Sequence, residues 1–300
     1  MHCVVTGGAG FIGSHLCERL LTLGHDVACL DDLSAGRLEN IAGLISHPHF
    51  MFFPQDVCGD ITDMLYGADV LFHLAASKKN VCLRDPARDL AVNAGGTLNL
   101  LQTAVQCGVK QFIYASTGSV YGNTPVQEET APTIPVSYYG ISKLAGEGYV
   151  RIFADKLHTV VLRYFHVYGP RQEAADHLGG VIAIFMRRLY HNWPLTVYGD
   201  GQQWRCFTYV DDVINANLAA LEMPSGTVCN CVSDVHITLN MLIEKLFALT
   251  GRSVPVKYED WQVGDIVDFA PHNSRIKNFG ATFQDIDAGL QKTWKHYIIV

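Results

Sequence analysis

A tyrosine and a lysine stand four residues apart in the stretch Tyr139-Gly140-Ile141-Ser142-Lys143. On a helix that spacing puts both side chains on one face, so the ammonium lies close to the phenol and favours its ionised form. A phenol with an ordinary pKa of about 10 is a poor base near neutrality, and a positive neighbour is what would bring it into range. Such a pair suits the proton transfer that accompanies removal of a hydride from a carbinol. The alternative is a helix-surface aromatic beside a solvated lysine.

A second chemical element opens the chain, where Thr6-Gly7-Gly8-Ala9-Gly10-Phe11-Ile12-Gly13 follows the apolar run Cys3-Val4-Val5. Glycines at 7, 10 and 13 let a strand turn tightly into a helix, whose free N–H groups and positive dipole end then face a pyrophosphate. Three glycines alone are a weak sign, and context strengthens them. A second strand follows and ends at Asp31, where a carboxylate can accept hydrogen bonds from an adenosine ribose. Its charge disfavours a 2'-phosphate, which points to NAD rather than NADP, with Arg37 nearby as a cation that would act the other way. The alternative is an Asp31 that only caps a turn.

The elements that must position these groups follow from hydrophobic patterning. Short apolar runs near 2–5, 26–30, 50–53, 69–73, 111–115 and 158–164 alternate with helical patterns over about 12–23, 87–107 and 138–155. Gly24 and Gly108 stand where a helix end wants positive φ. The alternation predicts an α/β protein with a doubly wound parallel sheet. After Gly169-Pro170 the pattern becomes less regular, with breaks at Gly179-Gly180, Pro194, Gly199-Asp200-Gly201 and Pro255. We therefore expect a dinucleotide-binding domain over 1–165 and a smaller C-terminal lobe over 166–300, with a late strand near 227–232 returning to the main sheet.

Composition bounds the function classes. The 300 residues are 49% hydrophobic and 17% charged, enough for a large core. A net charge of −7 without a basic stripe speaks against nucleic acid as a partner. No run reaches the roughly 18 apolar residues of a membrane span, and the chain opens directly into a core strand, so a cytoplasmic protein without membrane attachment is expected. The nine cysteines lie mostly in apolar runs without a CxxC pair, and His47-Pro48-His49 lacks further ligands at metal spacing. Reduced thiols and no metal are the expectation.

Further stretches carry a family resemblance. They are Leu30-Asp31-Asp32-Leu33-Ser34-Ala35-Gly36, His73-Leu74-Ala75-Ala76, Asn93 to Leu101, Ala115-Ser116-Thr117-Gly118-Ser119-Val120-Tyr121-Gly122, Arg163 to Arg171, and Val197-Tyr198-Gly199-Asp200-Gly201 through Arg205 to Asp212. With the glycine turn, and over nearly the whole length, the chain resembles an extended short-chain dehydrogenase/reductase of the nucleotide-sugar epimerase/dehydratase branch. The resemblance implies a Rossmann-type domain holding NAD and a lobe holding a nucleoside-diphosphate sugar. It also implies a homodimer formed through the helices near 87–107 and 138–155. Tyr139 would be the general base and acid, Lys143 its electrostatic partner and ribose ligand, and Thr117 the hydroxyl that bonds the reacting sugar oxygen. The implied NAD contacts are Gly7, Gly10, Phe11, Ile12, Gly13, Asp31, Asp56, Val57, Leu74, Ala75, Ala76, Lys78, Asn93, Ala115, Tyr139, Lys143 and Phe165. Those to the nucleotide sugar are Thr117, His166, Val181, Tyr198, Arg205 and Phe269.

Departures from the family pattern shape the expected reaction. In 4,6-dehydratases acidic residues follow the catalytic Ser/Thr, whereas Gly118 and Ser119 occupy those positions here. Neither can move a proton from carbon, which leaves oxidation at one carbinol and return of the hydride to the other face, a 4-epimerisation. His166 stands where an asparagine is usual, Cys206 replaces an aspartate, and Gln262 replaces an arginine before Gly264-Asp265. Glu173 stands where uronate-specific relatives carry arginine and would repel a substrate carboxylate, so a neutral UDP-hexose is expected. A dehydratase, a keto-sugar reductase, or an NAD-binding regulatory protein without turnover are the alternatives.

Overall fold

Successive residues of each apolar run enter different cores. Cys3 and Val5 join a cluster on one face of the sheet and Val4 joins the other; Val27 and Cys29 divide from Ala28 and Leu30 in the same way. A strand buried on both faces needs such an unbroken run. The computed structural model describes residues 1–77, 79–175, 179–261 and 269–299. Seven parallel strands form the central sheet: β1 (His2–Thr6), β2 (Asp26–Leu30), β3 (Phe50–Phe53), β4 (Val70–His73), β5 (Gln111–Thr117), β6 (His158–Tyr164) and the late strand Thr227–Cys231. Across the sheet the order is late strand, β6, β5, β4, β1, β2, β3. The late strand pairs with β6 from Thr227 opposite Val160 to Cys231 opposite Tyr164.

β1 lies between β2 and β4. The chain first winds outward to β3 and then returns to wind the other way, which opens a crevice over the C-terminal ends of β1 and β4. Helix α1 (Phe11–Thr22) starts at that crevice. His73, fully buried at the end of β4, bonds the Thr6 hydroxyl at 2.8 Å and the Thr97 hydroxyl at 2.9 Å, so it bolts the two central strands to the helix behind them. Burial holds its pKa well below the usual imidazole value.

The helix expected near 87–107 is a composite of an α segment Pro86–Leu90, a wide π turn Ala91–Gly96 and a second α segment Thr97–Gln106. The wide turn carries Asn93, whose amide accepts the Ser77 N–H at 2.9 Å and donates to Asp89 at 2.9 Å and to Ser142 at 3.1 Å. Those outward bonds fix the turn, and Gly95-Gly96 resist it least. The helix expected over 138–155 runs from Tyr138 to Ile152 with a 3-10 turn at Phe153–Asp155, and the Ser137 hydroxyl caps it by accepting the Gly140 N–H at 3.1 Å. Gly24 and Gly108 take φ of +79° and +73° at the ends of their helices.

The second half, patterned too irregularly for assignment from sequence, contains helices Val181–Tyr190, Val210–Ala219, Leu239–Thr250 and Ile286–Ile299. Ile182, Phe185, Leu242, Leu246 and Trp294 join the same cluster as Cys3 and Val5, so these helices pack on one face of the sheet. Among the described residues no helix is long and apolar enough to cross a membrane. The nine cysteines form no disulfide with one another. His49 is paired with Asp26 at 2.7 Å.

Candidate active site

A cavity of about 380 Å³ opens over the C-terminal ends of the central strands. Gly7 takes a φ of +68°, and a Cβ there would stand 2.7 Å from the Ala75 nitrogen; at Gly13 it would stand 2.1 Å from the Gly7 oxygen. The two glycines let the turn close onto the β4 loop and onto the start of α1, where amide N–H groups suit a phosphate. Gly10, Phe11, Ile12, Asp31, Asp56, Val57, Leu74, Ala75, Ala76, Ala115, Tyr139 and Lys143 line the cavity with them. The donor set and the glycine cradle fit a dinucleotide. Lys78 and Gln262 lie outside the described residues. Asn93 stands behind the cavity wall and holds Ser77, while Phe165 is buried with 2% exposure in a separate cluster; its neighbour Tyr164 lines the cavity.

Asp31 accepts the Ala9 N–H at 3.0 Å and the Leu33 N–H at 2.9 Å, which fixes its carboxylate against the glycine turn. Burial raises its pKa in spite of those bonds. Arg37 is turned to an ion pair with Glu173, so it does not offset Asp31. Asp31→Ala is expected to weaken NAD binding about tenfold to a hundredfold, as for losing a hydrogen bond to a charged group, and to narrow the preference over NADP. Titration with both nucleotides measures this; a wild-type preference for NADP would show that Asp31 has been misread.

Thr117, Tyr139 and Lys143 converge at the inner end. Tyr139 lies in the first turn of the helix Tyr138–Ile152, and Thr117 ends β5 near enough to the phenol for its hydroxyl to oppose the rise in the phenol's pKa, while that hydroxyl donates to the Ser119 hydroxyl at 3.3 Å. The Thr117 oxygen also accepts the Ser119 N–H at 3.2 Å. Lys143, 1% exposed, places its ammonium 4.2 Å from the centre of the Tyr114 ring. Burial lowers the Lys143 pKa to about 7, against the carboxylates of Glu147 and Asp89. Burial pushes Tyr139 up to about 12, with Asp89 adding to the rise and Thr117 opposing it. The phenolate expected from helix spacing is therefore not favoured by the protein alone. The reason is desolvation, which disfavours the charged form of each group.

Gly118 follows Thr117 for a steric reason. A Cβ there would come within 2.3 Å of the Phe165 ring, which is itself packed by Tyr121 and Phe269. Gly118→Ala is expected to destabilise by about 1–3 kcal/mol, the usual cost of overpacking, and to lower turnover because Thr117 is displaced. Urea unfolding and steady-state kinetics measure both; a variant as stable and active as the parent would show that the ring moves freely.

Three expected substrate contacts gather around Phe269. The His166 ring meets Phe269 edge-on at 4.5 Å, and the Arg205 guanidinium lies 5.4 Å from the centre of the same ring. His166 has φ of +34°. Cys206 points inward, bonded to the Phe269 carbonyl at 3.7 Å, and burial pushes its thiol up to about 12. Tyr198 is 38% exposed on its own strand, and Val181 starts a helix packed on the main core; neither belongs to the Phe269 cluster. Glu173 is met by Arg37 and by the Ala174 and Ala175 N–H groups at 2.9 Å. Its charge is locally compensated, which weakens the expected repulsion of a substrate carboxylate.

Sequence reasoning missed Asp32, Gln55, Ser77, Arg88, Ser116 and Tyr164, all on the cavity wall. Asp32, Ser77, Ser116 and Tyr164 adjoin residues or motifs already singled out, and adjacency at a strand's C-terminal end was an available signal. Arg88 carried none, because its partners Asp32 and Asp56 are 56 and 32 residues away.

Comparison with known proteins agrees with this geometry. Residues 3–231 match the family described as the NAD dependent epimerase/dehydratase family. The UDP-glucose 4-epimerase of Mycolicibacterium smegmatis is 39% identical over 92% of this chain and 91% of its own. The crystal structure of the Thermotoga maritima UDP-glucose 4-epimerase with UDP-glucose superposes with a TM-score of 0.93 at 35% identity, covering 100% of this chain and 99% of that one. The UDP-N-acetylglucosamine 4-epimerase of Methanobrevibacter ruminantium, solved with UDP-N-acetylmuramic acid, gives 0.95 at 30% identity, with 99% and 98% covered. Relatives named as decarboxylases and dehydratases match as well. With its seven-stranded parallel sheet, its glycine cradle and a Tyr139–Lys143 pair beside Thr117, the chain belongs to the NAD-dependent epimerase/dehydratase family.

Proposed function

We propose that this protein interconverts the C4 epimers of a UDP-hexose, UDP-glucose and UDP-galactose in the first instance, through a transient 4-keto sugar. The observation that carries this reading is Tyr139 and Lys143 together on the cavity wall, with Thr117 at the end of the neighbouring strand β5 followed by Gly118 and Ser119, which bring no carboxylate. Tyr139 takes the proton of the C4 hydroxyl and later returns it, and Thr117 holds the same oxygen. Lys143, which lines the same cavity as Tyr139, supplies positive charge to the site when protonated. NAD, when bound, accepts the C4 hydride and gives it back, and its positive ring favours the phenolate that burial alone opposes. The lobe from 166 onward receives the nucleotide sugar, with Arg205 as the diphosphate ligand, its fork suiting paired oxygens, and His166 and Phe269 beside it. Ile141, Ile152 and Tyr138 expose 52%, 67% and 55% on the helix Tyr138–Ile152, which supports a homodimer formed through that helix.

A single labelled substrate tests the reaction. UDP-glucose carrying deuterium at C4 is supplied without added cofactor. Both C4 epimers are expected to keep the label at C4, with no net redox change. Label moved to C6 in a product lighter by one water identifies a dehydratase, and a strict need for added NAD(P)H identifies a reductase; either would overturn the proposal. UDP-glucuronate belongs in the same panel, because the Arg37–Glu173 pair weakens the electrostatic objection to an acidic sugar, and UDP-N-acetylglucosamine tests the room beside Phe269.

A further inference from the structure

Arg88 belongs to no motif that identifies this chain, yet it spans the mouth of the cofactor cavity. It stands on the segment Pro86–Leu90, after β4. Its Nη2 donates to Asp56 at 2.8 Å and lies 3.4 Å from Asp32, and these carboxylates follow β3 and β2 respectively. Each carboxylate is fixed in turn. Asp32 accepts the Ser34 N–H at 3.0 Å and its hydroxyl at 2.6 Å, while Asp56 accepts the Cys58 N–H at 2.9 Å. Three loops that could open independently are thus tied by one guanidinium, and all three residues line the cavity.

The tie lies at the end marked by Asp31, where the adenosine half of the dinucleotide belongs. A guanidinium is planar, permanently charged and weakly hydrated, so it stacks on aromatic faces. An adenine ring offers such a face. A 2'-phosphate is the other ligand an arginine could take here, but Arg88 is already engaged by two carboxylates, with Asp31 as a third negative group on the same wall. We propose that Arg88, pinned by Asp32 and Asp56, is a contact for the adenine base that retains the dinucleotide in this protein. The inference rests on the cofactor of the family and is independent of which sugar is converted.

Retention is read as the dissociation rate of NADH from the intact protein, followed by its fluorescence during a chase with excess NAD. Arg88→Ala is expected to raise that rate about tenfold with little change in the association rate, the usual division for a lost contact. Arg88→Lys keeps the positive charge but offers no planar face to a base, and is expected to behave like Arg88→Ala. Added salt should speed release from the wild type and leave Arg88→Ala nearly unaffected, since a partly exposed pair is screened. Nucleotide-free melting temperatures of the variants should stay close to the parent, which separates a ligand contact from a structural one. Release from Arg88→Ala within about twofold of wild type overturns the proposal. So does a wild-type rate in Arg88→Lys, and so does tighter wild-type binding of NADP that Arg88→Ala abolishes.

Discussion

Tyr139→Phe should leave the fold and NAD binding intact and cut turnover by about two to four powers of ten, the range for losing a general acid and base. The phenyl ring fills the same space at the head of the helix Tyr138–Ile152, so only the phenol hydroxyl is removed. Burial pushes that hydroxyl's pKa up to about 12, which the proposed proton transfer would have to overcome at each turnover. The variant has nothing to ionise. The epimerisation rate, measured with bound NAD quantified by absorbance, decides the matter: a rate equal to wild type would reject Tyr139 as the proton carrier, whatever the sugar.

The largest effect on stability is expected beneath the active site. Glu147 and Arg163, 8% and 5% exposed, form a two-pronged pair with bonds of 2.9 and 2.7 Å. Arg163 also donates to the Tyr121 hydroxyl at 2.7 Å, which donates to Asn230 at 2.9 Å. The chain of bonds ties the helix bearing Lys143 to β6 and to the late strand. Arg163→Met strands a buried carboxylate and is expected to cost about 3–5 kcal/mol. The double variant Glu147→Met/Arg163→Met removes both charges and should recover most of that loss. Urea unfolding of both variants measures this; a single variant within about 1 kcal/mol of wild type would mean that water or another group reaches Glu147.

Much of this was legible in the order of residues. Runs such as Cys3-Val4-Val5 read as strands because both faces are covered, and Gly24 and Gly108 marked helix ends because only positive φ fits there. Tyr139 and Lys143 were visible through local helix geometry. β5, by contrast, runs two residues beyond the expected 115, because pairing of Ser116 with Arg163 and Thr117 with Tyr164 compensates for their polarity. The protonation of the Tyr139–Lys143 pair was not legible, since it depends on burial and on Asp89, some 50 residues earlier in the chain. The π turn around Asn93 and the Arg88 tie depend likewise on partners supplied by other elements.

The contact between Gly118 and Phe165 also bears on how reactions diverge in this family. A carboxylate at position 118 would be the first step from the proposed hydride return toward elimination, yet any side chain there meets the Phe165 ring, supplied by the residue just after β6. The order of mutational events is therefore biased: if Phe165 shrinks before Gly118 acquires an acid the clash is avoided, whereas a lineage taking the steps in reverse passes through an ancestor destabilised by about 1–3 kcal/mol or more. Residue 165 thus acts as a ratchet on functional drift, although it need not touch the sugar. A library randomised at 118 alone should return glycine, whereas one randomised jointly at 118 and 165 opens the adaptive route that single changes leave closed.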